Sequence, residues 1–190
     1  ASTAKAVDAT NFGAVFTTTL DGTSDIATLN LGAKNDVVTN GTAASDSTIN
    51  AGAGNDTLNI DITASEITFD GGDGTDTVTA SGTMNMSKLT LSNVEVISLD
   101  GTALTSFNAS QIDGQSLIIK ADGANDYIFV GGDSGTTIAD AKYIDQTSID
   151  LSNLVIDSGS VEGVKINLDD YADAFGAATA MTLTGSSIAD

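Results

Sequence analysis

Three short loops between residues 31 and 78 repeat one pattern at a fixed spacing. In each loop a glycine-containing turn leads to an aspartate, and β-branched or apolar residues follow. The aspartates Asp36, Asp56 and Asp76 lie 20 residues apart, and acids at Asp46 and Glu66 fall midway between them. A fixed period of this kind indicates a repeat architecture, in which each repeat is one unit stacked on its neighbours.

The residues around each aspartate predict a turn followed by a strand. Glycines stand four and two residues before Asp56 and Asp76, where a tight turn needs backbone conformations that other residues resist. Ile67 and Phe69 alternate with polar neighbours and predict a strand on the opposite half-turn. Two turns and two strands in about 20 residues predict an all-β fold, a parallel β-solenoid that buries its inward side chains between coils.

The repeat also predicts a column of carboxylates. Stacked parallel strands lie roughly 4.8 Å apart, so Asp36, Asp56 and Asp76 would follow one another at that spacing. Two unit charges about 5 Å apart repel by roughly 3 kcal/mol at an effective dielectric near 20. A cation between coils removes this repulsion, and calcium–oxygen bonds of about 2.3–2.6 Å let one ion bridge two coils. Oxygen ligands without histidine or cysteine favour calcium over a transition metal.

These loops resemble the glycine- and aspartate-rich nonapeptide repeats of RTX proteins, G-G-x-G-x-D-x-U-x. Residues 71–78 match the motif, residues 51–58 have alanine for the first glycine, and residues 31–38 keep one glycine, with Lys34 at the third glycine position. The half-turns at the two midway acids lack the glycines. The resemblance implies a calcium-filled parallel β-roll. The combination with Thr/Ser/Asn-rich strands is similar to bacterial S-layer proteins and large secreted adhesins.

We predict that the calcium ligands come from the aspartates and from turn glycines that free backbone carbonyls. At the repeated edge these residues are Asp36, Gly52, Gly54, Asp56, Gly72, Asp73, Gly74 and Asp76. Where the motif returns, Asp122, Asp126 and Asp133 predict a second calcium cluster, and ordinary Asx turns are the alternative there. The alternative at the repeated edge is an ion-free solenoid in which Asn35, Asn55 and Asn125 stack as amide ladders.

Composition excludes several classes of function. The 190 residues contain 6 Lys+Arg against 26 Asp+Glu, a net charge of −20, which speaks against a nucleic-acid partner and favours a cation. The absence of cysteine and histidine removes disulfides, zinc–thiolate sites and histidine-based catalysis. No apolar run reaches the length of a membrane span, and no signal peptide is evident. Because the chain begins Ala-Ser-Thr, we expect a mature or excised piece of a longer protein.

The pattern along the chain predicts three segments. Residues 1–19 form a capping or assembly strand, and residues 20–136 form the calcium-binding β-roll, with irregular coils over 81–118. Residues 137–190 are a β-rich segment that continues into a longer protein or packs on a neighbour. The one helix candidate is a short turn over 169–175, where apolar residues share a face between an aspartate and a glycine.

The leading functional hypothesis is structural rather than enzymatic. We expect a calcium-dependent module of a secreted bacterial cell-surface protein, in an S-layer, adhesin or extracellular filament. It would fold and self-associate on binding extracellular calcium, with cell-surface polysaccharide as a further partner. The family resemblance implies type I secretion. The alternative is the calcium-binding tail of a secreted hydrolase or polysaccharide-acting enzyme, whose chemistry would need two facing carboxylates. A third hypothesis is ice binding by a threonine face, suggested by residues 17–19 and by Thr77 and Thr79.

Overall fold

A computed structural model gives the fold of the chain. The chain divides into two compact units, described separately below: residues 1–81 with 88–98, and residues 82–87 with 99–190. The structure describes residues 5–20, 26–41, 46–60, 66–82, 84–100, 104–107, 109–112, 114–121, 127–130, 148–158, 165–167 and 182–184.

The first unit consists of short β-strands joined by turns. Most strands have four residues, as expected for a chain in which a turn signal recurs every ten residues. In the described part of this unit the strands are β1 Lys5–Asp8, β2 Thr17–Leu20, β3 Ile26–Asn30, β4 Val37–Asn40, β5 Ser47–Asn50, β6 Thr57–Ile60, β7 Ile67–Asp70, β8 Thr77–Ser81, β10 Leu89–Ser92 and β11 Val96–Asp100. Strand β11 starts in this unit and its last two residues belong to the second unit, as does β9.

Successive strands of the first unit alternate between two parallel sheets. One sheet has the order β1-β3-β5-β7-β10, and the other joins β2, β4, β6, β8 and β11 in that order. Val37 pairs with Thr57, and Thr57 pairs with Thr77, so partners lie one repeat apart. This register confirms the predicted parallel β-solenoid with about 20 residues per coil.

The core of the first unit is a stack of inward-facing side chains from successive coils. Leu29 pairs with Ile49 and Ile49 with Phe69, and all three are buried. In the other sheet Val38, Leu58 and Val78 form the corresponding buried column. Because side chains alternate across a strand, every second residue faces outward, and the core is filled by the inward-facing residues of these columns.

The second unit is also built from parallel strand pairs, together with two very short helical turns. Its described strands are β9 Met84–Asn85, β12 Leu104–Phe107, β13 Ile118–Ala121, β14 Tyr127–Val130, β15 Ser148–Asp150, β16 Val155–Ser158, β17 Lys165–Asn167 and β18 Thr182–Thr184. One sheet has the order β17-β14-β12-β9, and β13 pairs with β16 and β15 with β18. The helical turns are a 3-10 turn at Met86–Lys88 and α1 at Ala109–Ile112. The helix predicted over 169–175 lies outside the described residues. In the described ranges no helix is both long enough and apolar enough to span a bilayer.

Consecutive glycine turns of the first unit stack by direct backbone contact. Gly72 has a φ of 93°, and a Cβ placed there would overlap the carbonyl oxygen of Gly52 in the coil before. That carbonyl accepts the backbone N–H of Asp73 at 2.9 Å, and Ala53 and Asp73 form a parallel bridge. Position 72 therefore requires glycine for two reasons, its positive φ and the close approach of the neighbouring coil.

A pair of glycine substitutions separates these two reasons. Gly82 also has a positive φ, 82°, but a Cβ there meets nothing within 4 Å. We expect Gly82→Ala to lower the free energy of unfolding by about 1 kcal/mol through backbone strain alone. Gly72→Ala should add about 1–3 kcal/mol of overpacking against the Gly52 carbonyl. Urea unfolding of both variants measures the difference, and equal losses would contradict direct stacking of the turns.

Candidate functional site

The three repeated aspartates lie inside the solenoid, at the point where each glycine turn enters a strand. Asp36, Asp56 and Asp76 precede β4, β6 and β8 and are 2%, 1% and 0% exposed. The register of these strands stacks the aspartates in successive coils, as the 20-residue spacing predicts. Their burial distinguishes them from the many solvated acids of a chain with net charge −20.

Each carboxylate in this column binds the backbone of the coil before it. Oδ1 of Asp36 accepts the N–H of Phe16 at 2.7 Å, Oδ1 of Asp56 accepts that of Asp36 at 2.6 Å, and Oδ1 of Asp76 accepts that of Asp56 at 2.7 Å. A buried backbone N–H without a partner costs about 1–3 kcal/mol. The aspartate period is therefore explained by the backbone, because every coil needs a carboxylate from the next one. We call these contacts the carboxylate ladder.

Glu95 extends the carboxylate ladder by one step. Its Oε2 accepts the N–H of Asp76 at 2.7 Å, the role that Asp76 itself plays for Asp56. Glu95 lies 19 rather than 20 residues further on, and its extra methylene group lets it reach back from one position earlier. The loop pattern does not predict Glu95, because no glycine turn precedes it and it is out of step with the 20-residue period.

The shorter coil at Glu95 shifts the next strand by one residue. The N–H of Val96 binds the carbonyl of Asp76 at 3.0 Å, as the N–H of Thr77 binds that of Asp56 at 2.9 Å. In β11, Ile97 and Leu99 accordingly take the inward positions, and Val96 at the start of the strand is buried as well. The sequence contains a signal for this shift. Glu95 and the apolar residues Ile97 and Leu99 all come one position earlier than a strict 20-residue period would place them.

The second oxygen of two ladder carboxylates has no protein partner. Oδ2 of Asp56 and Oδ2 of Asp76 are buried without a hydrogen bond, whereas Oδ2 of Asp36 accepts the N–H of Gly32 at a long 3.4 Å. A desolvated, charged oxygen without a partner is costly and favours neutralisation by a proton or by a bound cation.

The surroundings of these carboxylates oppose their ionisation. Burial raises the pKa of Asp56 to about 6, the hydrogen bond from the Asp36 amide opposes this shift, and the carboxylates of Asp76 and Asp36 add to it. Burial likewise raises the pKa of Asp76, opposed by the Asp56 amide and reinforced by the carboxylates of Glu95 and Asp70. The column thus favours any ligand that supplies positive charge.

The structure brings together the predicted glycines of the repeated edge but separates the two aspartates of the third loop. Positive φ values, from 93° to 149°, occur at Gly52, Gly54, Gly72 and Gly74. Asp73 is exposed on the outside of its turn, whereas Asp76 is buried inside. The predicted second cluster, Asp122, Asp126 and Asp133, lies outside the described residues.

A cation at the ladder would have to be held mainly by the backbone. Across the described ranges no three acidic side chains converge on one point. The side-chain donors that fit a hard cation are the orphan Oδ2 atoms of Asp56 and Asp76, and the remaining ligands would have to be backbone carbonyls. The buried, unpartnered oxygens are the observation on which this fit depends.

Asparagines form a separate ladder on the exposed side of the same turns. Oδ1 of Asn35 accepts the N–H of Asn55 at 2.9 Å, and Oδ1 of Asn55 accepts that of Thr75 at 3.1 Å. On the midway edge, Oδ1 of Asp46 accepts the N–H of Glu66 at 3.0 Å. These side chains bind the coil that follows, opposite in direction to the carboxylate ladder. The asparagine stack and the aspartate column therefore coexist, and Asn125 lies outside the described residues.

Comparison with known proteins found no matching family model, no matching curated protein and no matching solved structure. The resemblance to RTX repeats consequently rests on the loop residues themselves. The parallel β-solenoid agrees with that resemblance at the level of fold.

Two substitutions of Asp56 separate its hydrogen bond from its charge. Asp56→Ala removes the acceptor for the buried Asp36 amide, so in chelator it should lower the free energy of unfolding by about 1–3 kcal/mol. Asp56→Asn keeps an oxygen acceptor and removes a repelled negative charge, so its stability should equal or exceed that of the wild type. Urea denaturation at neutral pH tests both, and similar losses in the two variants would contradict the ladder.

Without metal, the free energy of unfolding should depend on pH in the way that the raised pKa of Asp56 requires. Folded Asp56 has a pKa of about 6, against 3.8 for an ordinary aspartate, so the folded state binds the proton more tightly than the unfolded state. This contribution to stability is complete at low pH and is lost as pH rises through about 6. The difference in free energy of unfolding between wild type and Asp56→Asn, measured in chelator from about pH 4 to pH 7, should therefore fall with pH. A difference that stays constant or rises would refute the shift.

Proposed function

We propose that this chain is a calcium-dependent structural module of a secreted bacterial cell-surface protein, of the S-layer, adhesin or filament type. The observation that carries the proposal is the column of buried carboxylates, in which two oxygens have no partner in the protein. A column of this kind on a stack of parallel coils supports a scaffold that is completed by a cation. Within the described coils the ladder acids are buried in the stack and are not paired across an open cleft, which is the arrangement that hydrolysis needs.

The choice of calcium follows from charge and ligand type. Neighbouring carboxylates about 5 Å apart repel by roughly 3 kcal/mol at an effective dielectric near 20. A divalent ion opposes that repulsion for both neighbours at once, and hard oxygen donors suit calcium. Asp56 and Asp76 would hold the ion through their Oδ2 atoms, with carbonyls of the glycine turns completing its shell. The bound ion would supply the positive charge that lets both buried carboxylates stay ionised.

Binding and folding would be coupled, because the site exists only when the coils are stacked. The ladder aspartates are brought together from positions 20 residues apart, so the unfolded chain has no comparable site. A chain of net charge −20 repels itself without cations. Scarce calcium in the cytoplasm would leave it unfolded for export, and extracellular calcium would drive folding outside the cell.

Self-association would use the open ends of the first unit. Among the described strands, β1 and β2 are edge strands with unpaired backbone groups. Phe12 and Val15, beside this edge, are 50% and 55% exposed, and Phe12 packs edge-on against Phe16. Phe16 also stands where later coils have a ladder carboxylate, so this end provides no acceptor for a further coil of the same kind. A different copy or another domain is the partner that such an end suits.

The test is a calcium titration of the purified chain, starting in chelator and followed by far-UV circular dichroism and light scattering. We expect β signal to be gained with calcium in the wild type and to be largely lost in Asp56→Ala/Asp76→Ala. Magnesium should act more weakly, because it demands a tighter, near-octahedral shell. Scattering that rises together with the β signal would support assembly on folding.

A charge-matched variant controls for the loss of two acids. Asp100→Ala/Asp157→Ala removes two exposed carboxylates outside the ladder and should respond to calcium as the wild type does. A full β spectrum in chelator that calcium leaves unchanged would refute calcium-coupled folding. Equal losses in the two double variants would refute the ladder as the site.

A further inference from the structure

The outer face of the sheet formed by β2, β4, β6 and β8 carries two straight columns of small, uncharged side chains. Paired residues one coil apart supply each column, and alternate residues of a strand supply the two columns. The first column is Thr17, Val37, Thr57 and Thr77, and the second is Thr19, Thr39, Asn59 and Thr79. Six of these eight positions are threonine.

This face, which we call the threonine face, stands out because it has no charge. The chain has 26 acids and a net charge of −20, yet none of the eight positions is charged. β-Propensity alone explains threonine on a solvated strand, but it does not explain why aspartate and lysine are absent from all eight of these positions. Among the eight side chains one weak contact is formed, from Asn59 Nδ2 to Thr39 Oγ1 at 3.4 Å. Among these eight described side chains no further hydrogen bond is formed, so most of the hydroxyl groups are available to a ligand.

The geometry gives these groups a two-dimensional lattice. Coils repeat about every 4.8 Å across the sheet, and alternate residues repeat about every 6.6 Å along a strand. The core columns and the carboxylate ladder fix this spacing, so the hydroxyl and methyl groups hold their places without a ligand. We propose that the threonine face binds ordered water at the surface of ice, whose oxygens also form a neutral and regular lattice.

The chemistry of the face favours lattice water over the other ligands of a flat sheet. Protein interfaces depend on buried aromatic and arginine anchors, and this face has neither. Saccharide sites commonly stack sugar rings on aromatic side chains, which are also lacking among the eight positions. Hydroxyl groups can donate to and accept from water, while adjacent methyl groups restrict how that water is arranged.

The opposite sheet supplies an internal comparison. Thr28, Thr48, Thr68 and Thr90 form one threonine column there, in register through consecutive strand pairs. The column beside it contains Asp70, which is charged, and Asn50, whose amide is committed to Asn30 at 2.7 Å. This second face therefore lacks a paired, neutral lattice, although its threonines are similarly placed.

The experiment measures how much of the purified chain, folded in the presence of calcium, enters a slowly growing ice hemisphere. The wild type should be enriched in the ice fraction relative to a non-binding reference protein, and it should slow ice recrystallisation. Thr57→Lys, at the centre of the threonine face, should lose both effects. Thr48→Lys adds the same charge to the opposite sheet at a similarly half-buried position and should retain them.

Circular dichroism of both variants in calcium shows whether each one is folded, so that a loss of ice binding can be distinguished from a loss of folding. Exclusion of the folded wild type from ice would overturn the proposal, as would equal losses in Thr57→Lys and Thr48→Lys when both are folded. Retention of wild-type chain on cellulose or chitin, or concentration-dependent dimerisation abolished by Thr57→Lys, would assign the face to another ligand and overturn it too. None of these outcomes depends on how calcium and folding are coupled, which the circular dichroism titration measures separately.

Discussion

The first unit depends on one interaction, the hydrogen bond from a buried carboxylate to the backbone N–H one coil earlier. It occurs at four successive corners, from Phe16 to Asp76, and involves Asp36, Asp56, Asp76 and Glu95 as acceptors. Apolar columns alone would allow neighbouring coils to slide by two residues with little loss of burial. A buried N–H that finds its acceptor in only one register removes that freedom, and so the ladder fixes the length of each coil.

The same interaction creates an electrostatic problem within the fold. One oxygen of each carboxylate satisfies the backbone, and at Asp56 and Asp76 the other is left buried without a partner. The raised pKa of both groups expresses that cost. A proton relieves it at acidic pH and a divalent cation can relieve it at neutral pH, which makes the stability of the stack sensitive to its ionic surroundings. The proposed metal dependence would thus have its physical origin in the register of the coils.

The sequence predicted the fold better than it predicted the arrangement of the site. The 20-residue spacing of Asp36, Asp56 and Asp76 was sufficient to predict a parallel solenoid, because stacked coils place residues of equal phase next to one another. That spacing could not reveal which way a carboxylate points, since exposed and buried columns repeat identically. Glu95 was missed because a one-residue shortening is visible only when the side chain's reach and the displaced core pattern are considered together.

The threonine face and the carboxylate ladder arise from the same repeat but have opposite chemistry. Within one coil, Asp56 turns its charge into the interior and Thr57, the next residue, turns a neutral side chain outward. Stacking repeats both side chains in every coil, so a buried column of acids lies beside outward-facing, mostly half-buried columns without charge. If the outer face served only solubility, the abundant aspartates would suit it well. Aspartates do occur in other strands, such as Asp70 of β7, but none occupies these eight positions, and this leaves two neutral columns whose spacing is set by the ladder beside them.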